Sequence, residues 1–363
     1  MSPLNIVATK FAGNGVGKVR RIAVAVVIGL SLVVGAAAFY VLGTRHGQDL
    51  ALERAAAGIF ARGVPAEYDG LRVFVCGSGS PLPGRAQACI AVTAGESLYL
   101  VDSGAGSPAV MQLHGQPMAH LRAVLLTHLH TDHITGIPDM NLASGVMGRG
   151  DPLLILGPAG VDRVVRGYNE VLALDRGFRV AHHGIHLLAP ELGVMHAETA
   201  EPGIVVEENG LVITAFAVNH EPITPAYGYR FDYRGRSVVV SGDTVVTDNL
   251  EAQARGADLL LHDVLSMRIV GTMQAAATAL GAYRPAKIFS DIPTYHAHAV
   301  ELGPVAERTG VRMLAVYHFV PPPGNYLMER IYRHDLPDGT VLTRDGTEFK
   351  LPAGSNAIHV AHP

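Results

Sequence analysis

The amino-acid sequence predicts an α/β fold in which two similar β-sheets pack together, preceded by a long apolar segment. Three observations carry this reading. Strand-like and helix-like stretches alternate between Leu71 and Ala173. The second half of the chain is richer in short strands. Finally, Leu98-Tyr99-Leu100-Val101-Asp102-Ser103-Gly104 is echoed by Val238-Val239-Val240-Ser241-Gly242-Asp243-Thr244, each an apolar strand ending in a carboxylate and a glycine.

Composition sets the outer bounds. The 363 residues, 48% of them hydrophobic, can bury a sizeable core in one large α/β domain or in two smaller ones. A net charge of −4 offers no basic footprint, which argues against nucleic acid as a partner. Cys76 and Cys89 are too few for a disulfide framework or a thiolate zinc site. They read as small buried hydrophobes, and a cross-strand disulfide would require them to face each other.

Residues 1–18 are small and polar, with Lys10 and Lys18. Arg20 and Arg21 then open an apolar run from Ile22 to Gly43, about the 20 residues needed to cross a bilayer. The positive-inside rule places the N-terminus in the cytoplasm and everything after Thr44 outside it. A cleaved signal peptide is the rival reading, with Ala36-Ala37-Ala38 as its cleavage site. A retained anchor is favoured because apolar character resumes at Phe39-Tyr40-Val41-Leu42. The expected layout is an N-terminus and anchor over 1–45, a helical linker over 46–66, a globular domain over 67–352 and a loose tail over 353–363, with the domain periplasmic or extracellular.

Within the domain, strands are expected at Leu71–Cys76, Cys89–Val92, Ser97–Val101, Ala123–Leu126 and Leu153–Leu156. Further strands are expected at Val205–Val206, Leu211–Val218, Ala226–Tyr233, Ser237–Val240, Asp258–Leu261, Lys287–Ser290 and Arg312–Val316. Arg234-Gly235 reads as a hairpin turn, and Val341–Thr343 with Thr347–Leu351 as a closing hairpin around Asp345-Gly346. Helices are expected over 107–119, from Gly136, from Gly160 to Ala173, over 248–255 and over 298–308.

The chemistry gathers at His128-Leu129-His130-Thr131-Asp132-His133, four metal-capable side chains within six positions at the end of an apolar strand. Two imidazoles one residue apart point the same way from an extended segment, and the Asp and third His turn toward a neighbouring site. That is ligand spacing for two ions side by side. Three later positions put a ligand-type side chain just past an apolar strand: His220, Asp243 and His318. A set of imidazoles and carboxylates without thiolate suits two Zn²⁺, with Mn²⁺ or Fe as alternative occupants.

This arrangement resembles the metallo-β-lactamase superfamily, and within it the branch of ribonuclease Z and the zinc-dependent arylsulfatases. The likeness runs from Leu71 to Pro323. It rests on Gly77-Ser78-Gly79-Ser80-Pro81, Asp102-Ser103-Gly104, the His128–His133 cluster, Asn219-His220, Ser241-Gly242-Asp243-Thr244 and Tyr317-His318. It implies an αββα sandwich with the metals at one edge. It assigns His128, His130 and His220 to one ion, Asp132, His133 and His318 to the other, and Asp243 to both. Asp102 matches a supporting aspartate, and His296 matches the histidine beside the leaving group. His182, His183, His186 and His196 read as surface residues.

Two departures separate the chain from ribonuclease Z. Only 23 residues part His220 from Asp243, leaving no room for that family's long tRNA-gripping arm, and His262-Asp263 stands where His-Glu is usual. The role of the acid, and that of His298, stays open. Gly157-Pro158-Ala159-Gly160 and the stretch from Glu221 to Arg230 resemble the arylsulfatase-type members. The expectation is therefore a dinuclear hydrolase, exported and membrane-anchored, whose metal-shared hydroxide attacks a small sulfate or phosphate ester. Alternatives on the same site are a lactonase or β-lactamase, a tRNA 3′-processing endoribonuclease, and a non-catalytic metal-binding membrane protein. A homodimer is compatible with all of them.

Overall fold

The computed structural model describes residues 14–60 and 68–363. The chain divides into two compact units near Gly63. In the first, a helix over Asn14–Gly43 is followed by a second over Arg45–Phe60. Val19–Gly43 is the one described helix long and apolar enough to cross a membrane, and none of that window is buried.

The second unit is built on fifteen strands. The first six are β1 (Gly70–Gly77), β2 (Cys89–Ala94), β3 (Ser97–Val101), β4 (Leu121–Leu125), β5 (Leu154–Gly157) and β6 (His196–Thr199). Seven more follow: β7 (Gly203–Glu208), β8 (Leu211–Ala217), β9 (Tyr227–Tyr233), β10 (Arg236–Val240), β11 (Leu259–Leu265), β12 (Met313–Val320) and β13 (Val341–Leu342). The last two are β14 (Glu348–Pro352) and β15 (His359–Ala361). One sheet runs β15-β14-β1-β2-β3-β4-β5-β6 and the other β13-β12-β11-β10-β9-β8-β7.

Period-two alternation sorts the side chains into layers. Leu71, Val73 and Val75 of β1 meet Ile213, Phe231, Val238 and Val240 in a core between the sheets. Phe74, Leu98, Leu100 and Val124 face outward beneath the helices over Ser107–Leu113, Ile137–Val146 and Val161–Val171. On the other outer face, Val239, Leu260, Val316 and Phe319 pack with Leu250, Leu302, Val305 and Tyr332 from flanking helices. Helix, sheet, sheet, helix is the αββα order.

Several local expectations are corrected. Lys287–Ser290 is not a strand but part of a helix over Tyr283–Asp291, which exposes Tyr283 and Ile288 and packs Phe289 against Leu265, Val270 and Val320. Val341–Leu342 and Glu348–Pro352 do not pair as a hairpin. β13 pairs with β12 and β14 with β1, so the segment between them crosses from one sheet to the other. Residues 353–363, expected as a loose tail, contribute β15 to the sheet edge. Cys76 and Cys89 form a disulfide: the register that pairs Phe74 with Ala91 and Val75 with Ile90 runs on to set Cys76 opposite Cys89, with Cα atoms 5.0 Å apart. Both are buried as expected, and their pairing depends on the register between two strands and not on either strand alone.

The crossing segment is held by Asp345. Its Oδ1 accepts from Ser78 N at 2.9 Å and Ser78 Oγ at 2.7 Å, and its Oδ2 accepts from Ala86 N at 2.7 Å. Asp345→Ala leaves these donors unsatisfied and should lower stability by about 2–4 kcal/mol. Urea unfolding monitored by circular dichroism measures the shift, and an unchanged midpoint would remove Asp345 from this role.

Candidate metal centre

Every candidate ligand lies at the end of a strand on one edge of the sandwich. β4 is buried up to Leu125, and the chain then leaves the sheet through Leu126 and Thr127 into a one-turn helix over Thr131–Ile134. That exit is clamped from the opposite sheet. Tyr229 Oη donates to the Leu126 carbonyl at 2.8 Å, and Tyr227 N donates to the Thr127 carbonyl at 2.9 Å. Gly104 lets the chain after β3 pass beneath the cluster, since a Cβ there would sit 2.1 Å from the Asp132 carbonyl oxygen.

Asp243 follows β10 through Gly242, which has φ 66° and no room for a side chain against the Tyr227 carbonyl. Its loop is tied to the one carrying His220: Asn219 N donates to Thr244 Oγ1 at 3.1 Å, and Val245 N donates to the Asn219 carbonyl at 3.1 Å. His318 is the extra residue of a bulge in β12, since Tyr317 pairs with Asp263 and Phe319 with Val264. Its φ of 44° is left-handed, a conformation that costs a non-glycine residue about 1–3 kcal/mol and re-aims the side chain.

These elements bring the seven predicted donors together. His128, His130 and His220 form one triad, and Asp132, His133 and His318 another, with ligand atoms within 4.8 Å of one another in each. Asp243 joins His128 and His133 in a third group and His220 and His296 in a fourth. Its Oδ2 lies 3.2 Å from His133 Nε2 and 3.9 Å from His128 Nε2, and its Oδ1 lies 3.4 Å from His318 Nδ1. His130 is the exposed member and marks the mouth.

The residues fit divalent ions. Asp243 Oδ1 and His318 Nδ1 are buried without a hydrogen-bond partner, unusual for polar atoms unless something else satisfies them. His128 Nε2 and His130 Nδ1 converge to 2.9 Å, two lone-pair sites aimed at one point. In the metal-free chain the charges balance through protons. Burial pushes the Asp243 carboxyl up, but His318 and His133 outweigh it and hold the group well below the usual range. Burial likewise disfavours the His133 cation, yet Asp243, Asp102 and Asp132 raise it well above an ordinary histidine. Asp132, pushed up by burial, is brought down to about 2 by His133 and His318.

Asp102 supports the ligands from below. It is buried with φ 61°, and its carboxylate accepts from Thr127 N, Thr127 Oγ1 and His133 Nδ1, each at 2.8 Å. The last contact leaves His133 Nε2 to face Asp243, so that the bond to Asp102 fixes a tautomer able to bind metal.

Asp263, whose role the sequence left open, is fully buried within β11 and accepts from His296 Nδ1 at 2.8 Å. Its signal in the sequence resembles that of Asp243, a carboxylate shortly after the apolar run Leu259-Leu260-Leu261. His298 has a structural place instead. Its Nε2 donates to the Pro293 carbonyl at 3.0 Å, and its backbone N donates to Glu301 Oε2 in a capping box. His182, His183, His186 and His196 are exposed and belong to none of the donor groups.

Such a fold and centre define a class. The chain belongs to the β-lactamase superfamily, whose domain model matches residues 98–319, and it is a metal-dependent hydrolase acting on ester bonds. Among characterised relatives, ribonuclease Z of Mycobacterium bovis (strain BCG / Pasteur 1173P2) is 37% identical over 259 residues, covering 70% of this chain and 88% of that one. Ribonuclease Z of Mycolicibacterium paratuberculosis is 35% identical, covering 69% and 86%. Among solved structures, the metallo-β-lactamase fold protein YhfI from Bacillus subtilis aligns with a TM-score of 0.55 at 19% identity, over 78% of this chain and all of that one. Human tRNase Z, short form, aligns with a TM-score of 0.54 at 17% identity, over 77% and 99%. At these identities the structural matches show the fold.

Two expectations fall with these matches. The case against a nucleic-acid partner is overturned, because the relatives are ribonucleases; net charge averages over a surface and does not exclude a local cationic one. The exported, membrane-anchored placement falls as well. It rested on one apolar helix preceded by basic residues, a length and composition test that other helices also pass, while the relatives matched are named ribonuclease Z. The sulfate-ester reading finds no support in these names.

Asp102→Asn keeps the shape but loses one acceptor, and should weaken metal affinity about 10–100-fold with an unchanged circular dichroism spectrum. Chelator competition on the metal-loaded protein reads the effect. Wild-type affinity in the variant would show that Asp102 does not orient His133.

Proposed function

We propose that this chain is a dinuclear phosphodiesterase acting on RNA in the manner of its ribonuclease Z relatives. The reading is carried by the pairing of 37% identity across 88% of such a relative with two complete donor triads flanking one aspartate. His128, His130 and His220 would hold one ion and Asp132, His133 and His318 the other, with Asp243 between them. Zn²⁺ suits this donor set, with Mn²⁺ or Fe as alternatives. Ions bound there would lower the pKa of water toward about 7 and offset charge on the phosphoryl oxygens.

The remaining chemistry belongs to the chain. His296 stands within reach of Asp243 and His220, and its Nδ1 is engaged by Asp263, which leaves Nε2 to face the site. From there it donates a proton to the oxygen departing from phosphorus as the P–O bond breaks, a step worth about 10²–10⁴-fold. Asp263 fixes the tautomer and balances the imidazolium. The shorter Asp reaches His296 as the usual Glu would because β11 carries it directly against the histidine loop, where Leu265 bridges to His298. With no arm between His220 and Asp243, the grip on RNA falls to the body of the domain.

A substrate panel tests the reading on the metal-loaded full chain: a precursor tRNA with a 3′ trailer, bis(4-nitrophenyl) phosphate, 4-nitrophenyl sulfate and a lactone. Cleavage of the RNA and the phosphodiester is expected. Turnover of sulfate or lactone in their absence would overturn it. His296→Ala should lower kcat on RNA about 10²–10⁴-fold with metal content unchanged, and Asp263→Asn should lower it in the same direction.

A further inference from the structure

A phenol ring stands beside the donor His220 and the leaving-group histidine His296. Tyr295 is half-buried, and its ring centroid lies 5.1 Å from that of His220, perpendicular at 89°, and 4.9 Å from that of His296. Both imidazoles belong to the donor group that includes Asp243, so the ring lies one side chain away from where a scissile phosphate would sit.

Its placement is rigid. His220 Nδ1 donates to the Tyr295 carbonyl at 3.0 Å, which couples the backbone under the ring to a ligand imidazole. The next residue is locked by Asp263. On the other side, Thr294 Oγ1 donates to the Asp291 carbonyl at 2.7 Å, and His298 Nε2 donates to the Pro293 carbonyl at 3.0 Å. A ring held in this way, and only half covered, presents aromatic surface without losing conformational freedom when a ligand arrives.

We propose that Tyr295 is the platform on which the base flanking the scissile phosphate stacks, so that the site selects nucleoside phosphodiesters over those lacking a planar group. This rests on the phosphodiesterase reading above and names the substrate feature that the centre recognises. Stacking on a fixed aromatic ring tolerates any base, since every base offers a π-face. The ring serves as a flat surface, so the hydroxyl is dispensable and the aromatic plane is not.

The test compares a ribodinucleotide with the same molecule whose bases are replaced by hydrogen, on wild type, Tyr295→Phe and Tyr295→Leu. Wild type should prefer the base-bearing substrate by roughly 5- to 150-fold in kcat/KM, mainly through KM. Tyr295→Phe should keep that preference. Tyr295→Leu, which retains bulk without a ring, should abolish it, read as the ratio of the two kcat/KM values within that variant. A preference that survives in the leucine variant, or an equal loss on both substrates, would overturn the proposal. Calorimetric binding of uridine 5′-monophosphate against ribose 5-phosphate to the same proteins gives a readout independent of turnover. If wild type cleaves neither dinucleotide, the phosphodiesterase reading fails. The binding data then still decide Tyr295: selective loss of the nucleotide in the leucine variant supports the platform, and equal affinities overturn it.

Discussion

Four carboxylates without solvent set the terms for this molecule. Asp102, Asp132, Asp243 and Asp263 are each no more than 5% exposed, and all lie at one edge where the two sheets meet. An isolated buried carboxylate is among the costliest groups a protein can hold, so each must be compensated. Asp102 is satisfied by Thr127 and His133, whereas Asp263 is bonded by His296 through Oδ2 and its Oδ1, 2.9 Å from His262 Nδ1, has no hydrogen bond. Asp132 and Asp243 face only imidazoles, and one oxygen of Asp243 has no hydrogen bond at all. Strand ends, bulges and inter-sheet bonds around them amount to a device for holding negative charge where cations, and not water, must answer it.

The sandwich supplies the geometry through its seams. Donors come from loops after β4, β8 and β10 and from the bulge in β12, split between the sheets, so a shift of one sheet against the other would part the triads. Tyr229 and Tyr227 stitch the cluster strand to its counterpart at the seam itself. Large apolar side chains between the sheets, Phe231, Tyr317 and Phe349 among them, resist such sliding because a packed interior tolerates few voids.

Much of this was legible in the sequence because the donors obey a simple rule: a polar ligand-type residue directly after an apolar strand. That rule finds His128, His130, Asp132, His133, His220, Asp243 and His318 without any contact information. Asp263 obeys it too, and was passed over because His-Asp departs from the His-Glu of the resembling family. What could not be read depends on non-local geometry. The bulge at His318 and the register that sets Cys76 opposite Cys89 leave no local pattern, and Val341–Leu342 with Glu348–Pro352 look like a hairpin until the partner strands are known. Net charge misled for a different reason: a sum over 363 residues says nothing about where the cations stand.

That crossing after β13 also bears on how the chain reaches its fold. β1 is an early strand, yet one of its two neighbours is β14, and the Arg72–Glu348 pair closes a separation of 276 residues. A ribosome delivers β14 only after nearly all of the domain has emerged. Until then β1 offers an open edge, and the loop after it lacks the Asp345 carboxylate that anchors Ser78 and Ala86. Non-local pairing of this kind slows folding and lengthens the life of partly assembled states. The final strands thus act as a closure step, and a nascent chain stopped before residue 345 would carry all seven donors on a sandwich still unlatched along one side.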